Sequence, residues 1–265
     1  MKLNIVPART GFLWVRLGIK TFFRQPLAMA SLFFMYSSVA SLALLIPVIG
    51  IVLALMIEPA ARLGLMVAAS EASGGRFPMP IVLISAFRAG RERLKSMVIL
   101  GLLHALACAC VMVLSMLITA DVPKTEPLLP EAQLMLIAPS MLLYLPVSML
   151  FWHAPALVHF HGITPVKSLF FSVVACLRNW KALALFGLGW AAVILLVSIP
   201  LSMGIALTGS PQAAMPFVLP VILALAAMFS TSIYFTFRDS FTQEPPTTPD
   251  STPSSTPALT PGDTP

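Results

Sequence analysis

Apolar residues in this chain gather into six long runs, and the stretches between them carry nearly all of the charge. A helix rises about 1.5 Å per residue, so crossing the hydrocarbon layer of a bilayer takes about 20 apolar residues. Runs at 27–46, 48–69, 97–120, 134–157, 183–207 and 215–237 meet that length. The last two lie in a 56-residue interval between Lys181 and Arg238 that contains no Asp, Glu, Lys or Arg. They divide at Thr208-Gly209-Ser210-Pro211, and the first two divide at Pro47-Val48-Ile49-Gly50. Pro139, Pro146 and Pro155 interrupt the fourth run. Prolines are tolerated in lipid because neighbouring helices satisfy the freed carbonyls, so this run predicts one kinked helix. The pattern predicts an all-α membrane protein with six transmembrane helices over residues 1–238.

Composition agrees. Only 10% of the 265 residues are charged, 58% are hydrophobic, and the mean hydropathy is +0.93. Soluble domains carry about 25% charged residues. A net charge of +6 would suggest nucleic acid as the partner of a soluble protein. Here the cations flank the spans, so anionic lipid headgroups are the expected partners and nucleic acid is not. Lys2, Arg9, Arg16, Lys20 and Arg24 precede the first span. Arg76, Arg88, Arg91, Arg93 and Lys95 separate the second from the third. Lys167, Arg178 and Lys181 separate the fourth from the fifth, and Arg238 follows the sixth; the opposite side has only Lys124. Positive charge concentrates on the cytoplasmic side of membrane proteins, so both termini are expected there. Trp14, Trp152 and Trp180 fall near the same boundary, as an aromatic belt would. The basic leader is some 25 residues long and the first run is too long for a signal-peptide core, so the first span is expected to be retained.

Three of the basic stretches are amphipathic. Residues 9–24, 80–95 and 165–181 place apolar side chains at three- and four-residue spacing beside cations, the pattern of a helix lying in the membrane interface. Each leads into a pair of spans. The expected architecture is therefore an interfacial helix plus a transmembrane hairpin, repeated three times. Arg16, Lys20, Arg24, Arg88, Arg91, Arg93, Lys95, Lys167, Arg178 and Lys181 are the candidate lipid-facing cations. Residues 239–265 are rich in Pro, Thr and Ser and read as a disordered cytoplasmic tail.

Few residues bring chemistry into the spans. Glu58 and Arg62 are four apart and share a helix face, with Pro59 between them removing a backbone donor. Ionised groups at this depth are costly, so Glu58, Arg62 and the isolated His104 form a candidate intramembrane polar site. The alternative is a self-neutralising pair with Arg62 reaching toward headgroups. His153, His159 and His161 form an interfacial cluster, but their spacing matches no helical zinc pattern. Cys108, Cys110 and Cys176 suit small apolar fillers, and Cys108 and Cys110 point away from each other on a helix. No phosphate loop, nucleophile elbow or zinc-protease motif is present. No catalytic residue, cofactor or metal site is therefore expected.

The segments Met1-Lys2-Leu3-Asn4-Ile5-Val6-Pro7-Ala8-Arg9-Thr10-Gly11, Gly74-Gly75-Arg76-Phe77-Pro78-Met79-Pro80, 150–162 and Pro165-Val166-Lys167-Ser168-Leu169-Phe170-Phe171 resemble an uncharacterised family of proteobacterial multi-pass inner-membrane proteins. The resemblance spans residues 1–238, implies the cell inner membrane and supplies no activity. The alternation of amphipathic segments and spans is more weakly similar to the membrane domain attached to some glycerophosphodiester phosphodiesterases. Their catalytic domain has no counterpart here. The function expected from the residues is a non-enzymatic, lipid- or protein-interacting membrane module. The alternative is a small-solute or proton-coupled transporter with Glu58 in its pathway.

Overall fold

The computed structural model describes residues 2–122, 130–208 and 211–242. In chain order the helices are α1 (Thr10–Arg24), α2 (Pro26–Leu44) and α3 (Ile49–Ser73), then a 3-10 segment (Pro80–Ile84) that runs into α4 (Ser85–Arg88). They continue as α5 (Arg91–Ile118), α6 (Pro130–Phe151), α7 (Ala154–His161), α8 (Pro165–Arg178), α9 (Trp180–Thr208) and α10 (Pro211–Ser240). Among the described residues six helical segments are long and apolar enough to cross a membrane, and they coincide with the six runs read from sequence. The chain is an all-α membrane protein; a two-residue antiparallel ladder joins β1 (Lys2–Leu3), ahead of α1, to β2 (Phe241–Thr242), just after α10.

The amphipathic segments lie at the basic end and dock against the bundle. α1 packs on α9 and α10, the 3-10 segment and α4 on α3, and α8 on α6 and α7. The moment of α1 is set by Trp14, Val15, Gly18 and Phe22, which face the bundle and are buried, while Phe12, Leu13, Arg16 and Lys20 face outward. Burial concentrates at this end. α5 buries Met97, Leu100, Gly101, His104, Ala105 and Cys108 but exposes Met112 to Leu114 and Met116 to Ile118. α6 likewise exposes Met141, Leu142 and Leu145 and becomes buried at Val147 and Phe151. The packed core thus fills the basic half of the bundle, and the far halves of the helices present apolar side chains to lipid.

Several expectations require correction. The fourth run is not one kinked helix, because it breaks at Trp152-His153 between α6 and α7. In a continuous helix the His153 N–H would donate to Met149 O. Instead it donates to Ser172 Oγ (3.0 Å), whose hydroxyl donates to Met149 O (2.7 Å). A side chain inserted into the ladder, with Pro155 lacking its own N–H, ends α6. α7 then stops at Gly162, whose left-handed conformation (φ 64°) closes the turn. The amphipathic segment expected at 80–95 is also divided, since Gly90 separates α4 from α5 and Arg91, Arg93 and Lys95 begin a spanning helix.

Trp14 and Trp152 are not interfacial belt residues. Trp14 is wholly buried and donates to Asp239 Oδ2 (2.9 Å); Trp152 donates to Thr236 Oγ1 (3.0 Å). Trp180 is exposed as expected. The helical domain continues past residue 238, because α10 extends to Ser240 and Phe241 is buried. From residue 243 the expected disordered tail lies outside the described residues, as does Lys124.

Candidate functional site

The site is built from a proline. Pro59 has no N–H, so the Leu55 carbonyl one turn earlier in α3 lacks its helical donor. His104 of α5 supplies one: its Nδ1 lies 2.8 Å from Leu55 O. α5 reaches this far because Gly101, one turn earlier, approaches α3 closely; a Cβ there would lie 2.5 Å from Met56 O. The Phe151 and His104 rings pack in a T-shaped arrangement, 4.8 Å between centroids. His104 is consequently 2% exposed and oriented by two helices.

With Nδ1 committed, Nε2 turns to Glu58, 3.5 Å from Oε2. Arg62 is paired with the other carboxylate oxygen, Oε1. Cys108, one turn beyond His104 on α5, places Sγ 3.6 Å from Nε2. Tyr36 of α2 and Tyr144 of α6 flank the pair closely enough to interact with both Glu58 and Arg62. The three residues singled out in the sequence are therefore brought together. Tyr36, Cys108 and Tyr144 join them from helices whose register the sequence did not disclose. Glu58 and Arg62 are about one-fifth exposed (21% and 19%), so the cluster opens at one side of the bundle.

The histidines of the second candidate site are kept apart. His153 is buried against Phe237 and Phe241, and His159 and His161 sit on α7 with their rings against Phe160 and Phe237. No group of three metal-ligating side chains forms among the described residues. All three cysteines are free, with Cys108 and Cys176 buried and Cys110 exposed. Burial pushes the Cys176 thiol up to about 12, which keeps it protonated.

Sequence reasoning missed a polar knot at the basic end. Asn179, between α8 and α9, is 2% exposed. Its Oδ1 accepts from Val6 N (2.9 Å), and its Nδ2 donates to Asn4 O (3.0 Å) and Ser240 Oγ (3.3 Å). It ties the leader, the α8–α9 joint and the end of α10. The signal in the sequence was only an amide at a helix junction.

The candidate lipid-facing cations, from Arg16 to Lys181, are all exposed at this end. Among the described residues the ion pairs are those of Glu58 with Arg62 and of Arg238 with Asp239, and His104 Nε2 lies 3.5 Å from Glu58 Oε2. None of the candidate lipid-facing cations is paired with a described carboxylate within 4 Å. Arg16 and Lys20 rim a groove of about 520 Å³ between α1 and α9, floored by Phe12, Val15, Ile19, Gly189, Ala192 and Val193.

Among the described residues, six helices long and apolar enough to cross a membrane define a multi-pass helical membrane protein. The chain is 37% identical over 261 residues to the probable inner membrane protein BTH_II0599 of Burkholderia thailandensis, with 92% of this chain and 96% of that relative covered. It belongs to that family of inner-membrane proteins. No protein-family model and no solved structure matches it.

Proposed function

We propose that this protein is a non-enzymatic membrane module that holds anionic phospholipid at the cytoplasmic leaflet, with both termini in the cytoplasm. The observation that carries the reading is the α1–α9 groove. Its floor is apolar, and its rim offers Arg16 and Lys20, neither of them paired with a described carboxylate. Cations near an anionic surface contribute about 1 kcal/mol each. The remaining exposed cations add to the same field, and the bias of positive charge toward one end supports the orientation.

The reading includes a three-unit architecture. α1, the 3-10 segment with α4, and α8 each precede a hairpin, and each packs on the closing helix of a different hairpin: α10, α3 and α6 respectively. That cyclic order supports units repeated about the membrane normal.

The test is native mass spectrometry of protein released from nanodiscs that contain phosphatidylglycerol and phosphatidylcholine in equal amounts. Retained lipid is expected to be predominantly phosphatidylglycerol. The double variant Arg16→Ala, Lys20→Ala is expected to weaken its retention by about 2 kcal/mol, roughly thirtyfold. Equal retention of both lipids by the wild type would remove the proposal.

A further inference from the structure

We propose that His104 and Glu58 form a proton-binding site, in which one proton is shared between His104 Nε2 and Glu58 Oε2. The argument begins with hydrogen-bond polarity. Leu55 O, a carbonyl, can only accept, so the Nδ1 that lies 2.8 Å from it carries a hydrogen. In the neutral imidazole the other ring nitrogen is then a bare acceptor. That nitrogen faces Glu58 Oε2 at 3.5 Å, and Oε2 is a buried oxygen to which no group donates. Arg62 does not relieve this, because it is engaged with Oε1. Two acceptors thus face each other across a gap that one proton would convert into a charge-assisted hydrogen bond.

The surroundings give the site two states. Without the extra proton, the Cys108 thiol, 3.6 Å from Nε2, serves as its donor. When hydronium delivers a proton through the open side, water leaves and Nε2 becomes a donor. It turns from the Cys108 thiol to Glu58, and the imidazolium carries the positive charge. The groups facing the site are Tyr36 from α2, Glu58 and Arg62 from α3, Cys108 beside His104 on α5, and Tyr144 from α6. The tyrosines contribute hydroxyl dipoles. Because the pair bridges α3 and α5, gain of the proton adds a hydrogen bond between these two helices.

The experiment uses the full-length protein in nanodiscs with nitrogen-15 labelled histidine. His104 is assigned by the loss of its signals in His104→Gln. Nδ1 is expected to stay protonated from acid to alkaline pH while Nε2 passes between bare and protonated forms. In the same sample, with Cys110 and Cys176 replaced by Ala, the infrared S–H band of Cys108 is expected to shift over the same pH interval. Glu58→Gln should lose the protonated form over the range in which the wild type holds it. A His104 that keeps a single charge state from pH 4 to 9 overturns the proposal by the wild-type measurement alone, whether or not the variant folds. A titration of His104 unchanged in folded Glu58→Gln overturns it equally.

Discussion

Arg62→Leu is expected to destabilise the protein by about 3 kcal/mol, the lower end for removing one partner of a buried ion pair, because each side chain keeps about one-fifth of its surface exposed. Glu58 would keep its charge inside the bundle with Oε1 stripped of Arg62, leaving His104, on the Oε2 side, as its remaining neighbour able to carry a positive charge. Leucine supplies volume but no compensation. The double variant Glu58→Gln, Arg62→Leu removes both charges and is expected to recover most of the loss, because a neutral amide is far cheaper to hold in lipid. Unfolding of the purified protein by graded addition of denaturing detergent checks this, with the two variants and the wild type side by side. Equal stability of wild type and Arg62→Leu would mean that the pair is hydrated.

The second large effect is expected at Asn179. Its side chain makes three hydrogen bonds to three segments, and all of its partners are left without it in Asn179→Ala. At about 1 kcal/mol for each intramolecular hydrogen bond, the loss is about 3 kcal/mol. It should also be local at first. The leader is held by β1–β2 pairing, by Asn4 N to Ser240 O (2.9 Å) and by Asn179. Proteolysis within residues 2–9 should therefore accelerate in Asn179→Ala before the helices unfold. A variant whose leader resists protease as the wild type does would show that the ladder and the hydrogen bonds of Asn4 hold the leader without Asn179.

The parts of this fold written in hydrophobicity were legible from the sequence. Six spans follow from run length, and all six helices lie where the runs do. The candidate pair Glu58–Arg62 was equally plain, because a helix places residues four apart on one face. What could not be read was decided by contacts between segments distant in the chain. Trp14 looks interfacial by position, yet it is buried because its indole finds Asp239, 225 residues away. The break after α6 depends on Ser172, an ordinary serine whose hydroxyl enters another helix's ladder. Pro59 announced an orphan carbonyl, but only the α3–α5 packing permitted by Gly101 shows that His104 answers it. Tyr36 and Tyr144 joined the site for the same reason: their helices converge on α3 and α5 in a register that no local pattern records.

The central claim is the placement of the six spans with their cationic ends in the cytoplasm, because both the lipid groove and the open side of the proton site take their addresses from it. The most direct measurement fuses reporters active in only one compartment, alkaline phosphatase and a fluorescent protein, at two points of the chain. A fusion at the carboxyl end should fluoresce and show no phosphatase activity, and one within residues 121–131 should do the reverse. Both fusions reporting the same compartment, or the two compartments exchanged, would contradict the account.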